Sequence, residues 1–213
     1  MDIFSPEGLT ILIKTVGYFG LFGIIFAESG LFLGFFLPGD SLIFTAGVLA
    51  SQGFLNIWTL ITILFLGAVL GDNFGYSFGR QIGPKIFKRE DSILFHKKNL
   101  DRANDFYLKH GAKALILARF MPVIRTFAPI LAGVGMMQYR KFFIYNLIGG
   151  ALWTISIPLI GYFLGQVIPN IDKYLLPIIL GIIILSFMPS IVHLIKTGEW
   201  KIVIKKLGEI IKK

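Results

Sequence analysis

The feature that most limits this chain is a succession of apolar stretches about as long as a bilayer is thick. Residues 9–27, 57–79, 142–165 and 174–195 are dominated by Leu, Ile, Val, Phe and Gly, and a helix needs roughly 20 apolar residues to cross the hydrocarbon. With 55% hydrophobic residues and a mean hydropathy of +0.75, too little polar surface remains to fold such stretches into a soluble core. The sequence therefore predicts an all-α integral membrane protein, because a helix satisfies its own backbone groups in lipid. The 213 residues suffice for one membrane domain, 1–213, with no separate soluble catalytic domain. The N-terminus has no basic residue before Lys14 and so lacks the start of a signal peptide. The first apolar segment is expected to be retained, and whether 9–27 spans or lies at the interface stays open.

Two further apolar segments do not read as simple crossings. In the run ESGLFLGFFLPGDSL only eleven residues separate Glu28 from Asp40, and Pro38-Gly39 interrupts it. Residues 114–137 are apolar but contain Arg119 and Arg125 and are interrupted by Pro122 and Pro129. Proline removes a backbone donor and glycine accepts tight-turn conformations, so both segments suit a reversal.

Charge sets the orientation. Residues 80–113 hold nine Lys or Arg against four acids, and the tail 196–213 carries six lysines. Positively charged loops stay on the cytoplasmic side, so this long basic loop and the C-terminus are expected inside, with Arg140-Lys141. Both ends of 114–137 then lie inside, which makes it an inner re-entrant hairpin. Working backward, 28–53 becomes an outer re-entrant hairpin, giving about four transmembrane helices and two hairpins. Interleaved lysines and apolar residues in 196–213 read as an amphipathic helix on an anionic leaflet.

An offset of 86 superposes Ala46-Gly47-Val48 on Ala132-Gly133-Val134, Gln52 on Gln138, and Gly75-Tyr76-x-x-Gly79 on Gly161-Tyr162-x-x-Gly165. Internal similarity of this kind marks duplicated transporter folds. Each copy would be a re-entrant hairpin followed by a transmembrane helix, and the charge argument inserts the copies from opposite faces. The repeat is then inverted.

A charged side chain at bilayer depth costs about 2.5–3.5 kcal/mol on insertion scales, so it faces a cavity or a partner. Glu28 and Asp40 lie in the outer hairpin and Arg119 and Arg125 in the inner one; hairpin tips meeting at mid-membrane would bring all four together. Duller roles exist. Asp40 after Pro-Gly suits a helix N-cap, Glu28 could touch water at the outer interface, Arg119 could snorkel, and the pairs could be purely structural. Asp72 and Asn146 are candidate cavity-lining residues with helix packing as the alternative, and Trp153 and Gly149-Gly150 read as packing positions. Arg80 reads as an interfacial anchor.

Two arginines in a cavity point to an anionic ligand, since guanidinium forms bidentate bonds to phosphate or carboxylate. Half-helix N-termini favour the same ligand. Burial and neighbouring arginines pull a carboxylate's protonation in opposite directions, which makes Glu28 and Asp40 candidates for proton coupling. Other chemistry has little footing: cysteine is absent, and His96, His110 and His193 are scattered, so no metal or other cofactor is expected. The net charge of +9 in so apolar a chain reports lipid contact and orientation and not nucleic acid.

These motifs, Glu28, Phe36-Leu37-Pro38-Gly39-Asp40, Gly71-Asp72-x-x-Gly75-Tyr76-x-x-Gly79-Arg80, Arg119-Phe120-x-Pro122-x-x-Arg125 and Asn146-x-x-Gly149-x-x-x-Trp153, together resemble the DedA family, also called the SNARE-associated or VTT-domain family. The resemblance runs from about Gly20 to Gly165. It implies a multi-pass protein of a bacterial or archaeal inner membrane with two opposed re-entrant hairpins. It also implies a flippase-like lipid transporter, with undecaprenyl phosphate recycling as the leading substrate assignment and anionic phospholipid as the alternative, dependent on protons. Arg119 and Arg125 would bind the substrate and Glu28 and Asp40 would couple protons. The competing expectations are a scramblase, an envelope assembly factor and a lipid-phosphate hydrolase. No catalysis is expected, and a homo-oligomer remains open.

Overall fold

The computed structural model describes residues 6–31, 39–86, 113–168, 171–174 and a few positions between 177 and 181. The Pro38 turn, most of the basic loop, nearly all of the predicted span 174–195 and the tail lie outside the described residues, as do the three histidines.

Among the described residues there are six α-helices and no strand: α1 (Pro6–Gly30), α2 (Gly39–Ser51), α3 (Ile57–Ile86), α4 (Lys113–Ala118), α5 (Pro122–Val134) and α6 (Tyr139–Val167), followed by a short 3-10 turn (Ile171–Tyr174). Three of them, over Gly8–Gly30, Ile57–Ile82 and Tyr139–Val167, are long and apolar enough to cross a membrane. The chain is a membrane protein whose described residues are helical. Helices α2 and α5 have 13 residues each, which gives about 20 Å at 1.5 Å per residue, short of a hydrocarbon core of about 30 Å.

Helix α1 differs from a simple span. Gly17 at φ 56 divides it, a conformation that glycine adopts at little cost. The helix also runs past the expected boundary at residue 27 to Gly30, so Glu28 sits in its last turn. Likewise α3 continues to Ile86, and Arg80 lies on this helix instead of opening a loop. After α4, Arg119 N–H, Phe120 N–H and Met121 N–H bond the carbonyls of Ile116, Leu117 and Ala118, tightening the helix to a close. Met121 is extended and α5 starts at Pro122, where a missing N–H costs nothing.

Packing is crossed between the two halves. Helix α2 lies on α6, α5 lies on α3, and α1 lies on α3. A side chain at Gly161 of α6 would run into the Phe44 carbonyl of α2, while a side chain at Gly75 of α3 would press on Ile130 of α5. Phe44 and Ile130 are 86 apart, as are Gly75 and Gly161, so the offset found in the sequence also relates these two contacts. The core under α2 includes Leu21, Ile25, Ile43, Leu60 and Leu64, all buried. At the other end Tyr76 stacks on Phe142 with ring centroids 4.3 Å apart, and its hydroxyl donates to the Met137 carbonyl in the α5–α6 turn.

Candidate functional site

Three acids and two arginines, Glu28, Asp40, Asp72, Arg119 and Arg125, are each less than a tenth exposed, and five different parts of the fold deliver them. Helix α1 carries Glu28 in its last turn, α2 begins with Gly39-Asp40, and α3 carries Asp72. The break between α4 and α5 carries Arg119, and the first turn of α5 carries Arg125. Helix α2 is buried from its first residue, and in the first turn of α5 Arg125 is buried although its neighbour Ile124 is exposed, so both short helices turn a first-turn charge into the interior.

Two clusters form. In the first, Arg125 Nη1 donates to Asp40 Oδ1 at 2.5 Å, and Arg125 Nη2 donates to Glu28 Oε1. One guanidinium thus bridges two carboxylates. The Trp153 indole Nε1 donates to the same Asp40 Oδ1 at 2.8 Å, and its ring lies 4.7 Å from the Arg125 guanidinium carbon. In the second, Arg119 Nη2 donates to Asp72 Oδ2 and to Asn146 Oδ1, the latter at 2.6 Å. Asn146 Nδ2 in turn donates to the Val69 carbonyl at 3.2 Å, which fixes the amide so that its oxygen faces the arginine.

The expected four residues do converge, but they do not form one shared constellation. Glu28 and Asp40 both serve Arg125, and Arg119 is held by Asp72 and Asn146, the two residues expected to line a cavity. Glu28 is only 1% exposed and Arg119 4%, so neither reaches the protein surface. Asp40 is a first-turn acid of α2, placed where the helix dipole favours negative charge, and its recorded partners are Arg125 and Trp153. The sequence reading missed Trp153 as a site residue. The signal was available, since Asn146 and Trp153 are seven apart on one helix and so share a face, and the first of them was already a candidate.

Among the described residues Glu28 Oε2 is buried without a hydrogen-bond partner. It rests against Gly39, where any Cβ would collide with the carboxylate. The glycine at the head of α2 is what lets the end of α1 approach. Between the clusters lies a cavity of about 10 Å³ bordered by Asp72, Arg119, Arg125, Ala128, Phe142 and Asn146, room for about one water. Among the described residues no group of His, Asp or Glu could hold a metal ion.

The VTT domain family matches residues 37–163, which contains every site residue except Glu28. Protein DedA of Escherichia coli (strain K12) is 44% identical over 178 residues, 83% of this chain and 81% of that protein. An uncharacterized membrane protein of Mycobacterium leprae (strain TN) is 44% identical over 169 residues, covering 79% of this chain and 75% of its own length. The inner membrane protein YghB of Escherichia coli (strain K12) is 35% identical over 162 residues, 76% of this chain and 74% of its own. No solved structure matches.

Proposed function

Since this chain belongs to the DedA family of VTT-domain membrane proteins, we propose that it moves a lipid phosphate across the membrane, with undecaprenyl phosphate as the first candidate and an anionic phospholipid as the second. The observation that carries this reading is the pair of buried arginines, each already neutralised by side chains from another helix. Guanidinium groups kept in the interior at such cost suit a phosphate that must be taken off water and passed through. The long lipid tail would stay in the bilayer while the head group moves between the helices.

The site as it stands is closed. Three carboxylates and two guanidiniums give it a formal charge of −1, and its cavity of about 10 Å³ cannot admit a phosphate. A phosphate oxyanion therefore reaches Arg125 only by displacing Glu28 and Asp40, and doing so takes the cationic partner away from two carboxylates in a poorly solvated interior. Stranding a charge from a buried pair costs about 3–5 kcal/mol. Taking up protons on Glu28 or Asp40 removes that cost, so anion entry and proton entry go together. This is the proposed coupling step. Arg119, held by Asp72 and Asn146, would receive the phosphate next or share it.

In this reading α2 and α5 are the returning arms of re-entrant hairpins entering from opposite faces. Their 13-residue lengths and the 86-residue correspondence of their glycine contacts support it. The basic loop and C-terminus would face the cytoplasm, with the protein in the inner membrane. The reaction is movement without bond cleavage.

The test is purified protein in liposomes. Head-group translocation of polyprenyl phosphate and of labelled phospholipid is followed with and without a pH gradient, and free phosphate is assayed in parallel. The proposal expects faster translocation of one lipid, strengthened by the gradient, with no phosphate released. Gradient-independent movement of every phospholipid would indicate a scramblase, released phosphate a hydrolase, and no movement at all an assembly factor.

A further inference from the structure

Trp153 touches both halves of the charged site. It is 1% exposed, its Nε1 donates to Asp40 Oδ1 at 2.8 Å, and its ring faces the guanidinium carbons of Arg125 at 4.7 Å and of Arg119 at 6.0 Å. An aliphatic side chain of similar bulk would fill this space; it could make none of these three contacts. Asp40 Oδ1 consequently has two donors, one charged and one neutral, from two different helices.

We propose that Trp153 is the positioning residue that lets Arg125 and Asp40 part. When the guanidinium turns from Asp40 toward a ligand phosphate, the indole N–H remains on Asp40, and the carboxylate is not left without a donor. The ring meanwhile gives Arg125 and Arg119 a common electron-rich face on which a cation keeps part of its stabilisation. The cation can thus slide along one surface between two anionic partners. This inference rests on the transport reading for its purpose, although the contacts that carry it are independent of any ligand.

The groups around Asp40 are identified on each packed element: Glu28 on α1, Arg125 on α5, and, beyond the ring of Trp153 on α6, Arg119 with Asp72 on α3. A hydrogen-bond donor favours the ionised form of a carboxylate. Without the indole N–H, Asp40 has Arg125 as its one recorded donor, so the exchange of Arg125 onto a ligand loses the group that would hold the carboxylate behind it.

Two measurements test this. The first uses the three tryptophans of the chain: with Trp58→Phe and Trp200→Phe, emission from Trp153 in nanodiscs is compared at one pH with and without Asp40→Asn or Arg125→Gln. Each further substitution is expected to shift the emission, because Asp40 and Arg125 both touch the indole. Emission unchanged by both overturns the assignment. The second is translocation by Trp153→Phe, which keeps a ring and loses the N–H. Its maximal rate should fall while its apparent affinity for the lipid phosphate and its thermal unfolding in detergent stay close to wild type, whereas a loss of rate matched by a loss of thermal stability would mean a packing role only. If the wild-type protein translocates no lipid, the transport reading fails, while the emission comparison still decides whether Trp153 senses Asp40 and Arg125.

Discussion

Replacing Gly39 with alanine tests the geometry of the site without removing any charge. Gly39 opens α2 and does not carry the positive φ found at Gly17 and Gly53, so the backbone tolerates alanine there. Propensity alone would favour the change by up to about 1 kcal/mol in a helix interior, and by less at a helix end. Sterics act the other way, because the new methyl falls on the Glu28 carboxylate. That carboxylate cannot simply swing aside, since its other oxygen is bonded to Arg125. Moving it sacrifices a charge-assisted bond worth about 1.5–3 kcal/mol, while Arg125 keeps Asp40. The net expectation is destabilisation of about 1–2 kcal/mol. Truncating Glu28 to alanine first clears the space, and Gly39→Ala in that background should be neutral or slightly stabilising. A cycle of wild type, both single variants and the double variant, unfolded in detergent and followed by fluorescence, should thus show coupling of about 2 kcal/mol. If Gly39→Ala has the same effect with and without Glu28, the close approach of the carboxylate to the head of α2 is wrong.

The other predictions concern the arginines, the packing and the topology. Arg119→Gln and Arg125→Gln should abolish lipid translocation in liposomes while the proteins still insert, and Arg125→Gln should cost more stability, because it strands two carboxylates where Arg119→Gln strands one; equal flux would reject their role. Gly161→Leu and Gly75→Leu should each destabilise the fold by about 2 kcal/mol or more through overpacking, measured by thermal unfolding, with Gly161 the worse of the two because it meets backbone at Phe44 and not a side chain. The chain contains no cysteine, so Asn56→Cys and Arg140→Cys can be labelled singly with an impermeant reagent. The two sites should react from opposite faces, and labelling from the same face would exclude the opposed hairpins.

Much of this site was legible because lipid makes charge conspicuous. Glu28, Asp40, Arg119 and Arg125 stand out in apolar runs, and a charge that cannot reach water must find a partner. Proline and glycine likewise marked where α2 and α5 begin. Which acid meets which arginine was not legible. It depends on α5 crossing to α3 and α2 crossing to α6, and no local pattern in either segment encodes that exchange. From sequence Asp72 suits a cavity or a packing role equally, and only the position of the α4–α5 break brings Arg119 to it. Trp153 was misjudged for a different reason: an indole in a membrane helix is good packing material, and its N–H becomes informative only once Asp40 lies 2.8 Å away. The break at Gly17 was equally hidden, since glycines are common in membrane helices and nothing distinguishes Gly17 in sequence from Gly20 or Gly23.

The central claim is that a lipid phosphate takes the place of carboxylates on Arg125, with protons compensating for the exchange. Its most direct measurement is proton uptake by the purified protein in weakly buffered detergent as a short-chain polyprenyl phosphate is added. Saturable uptake should accompany binding and vanish in Arg125→Gln; binding that proceeds with no change in bulk proton concentration would contradict the account.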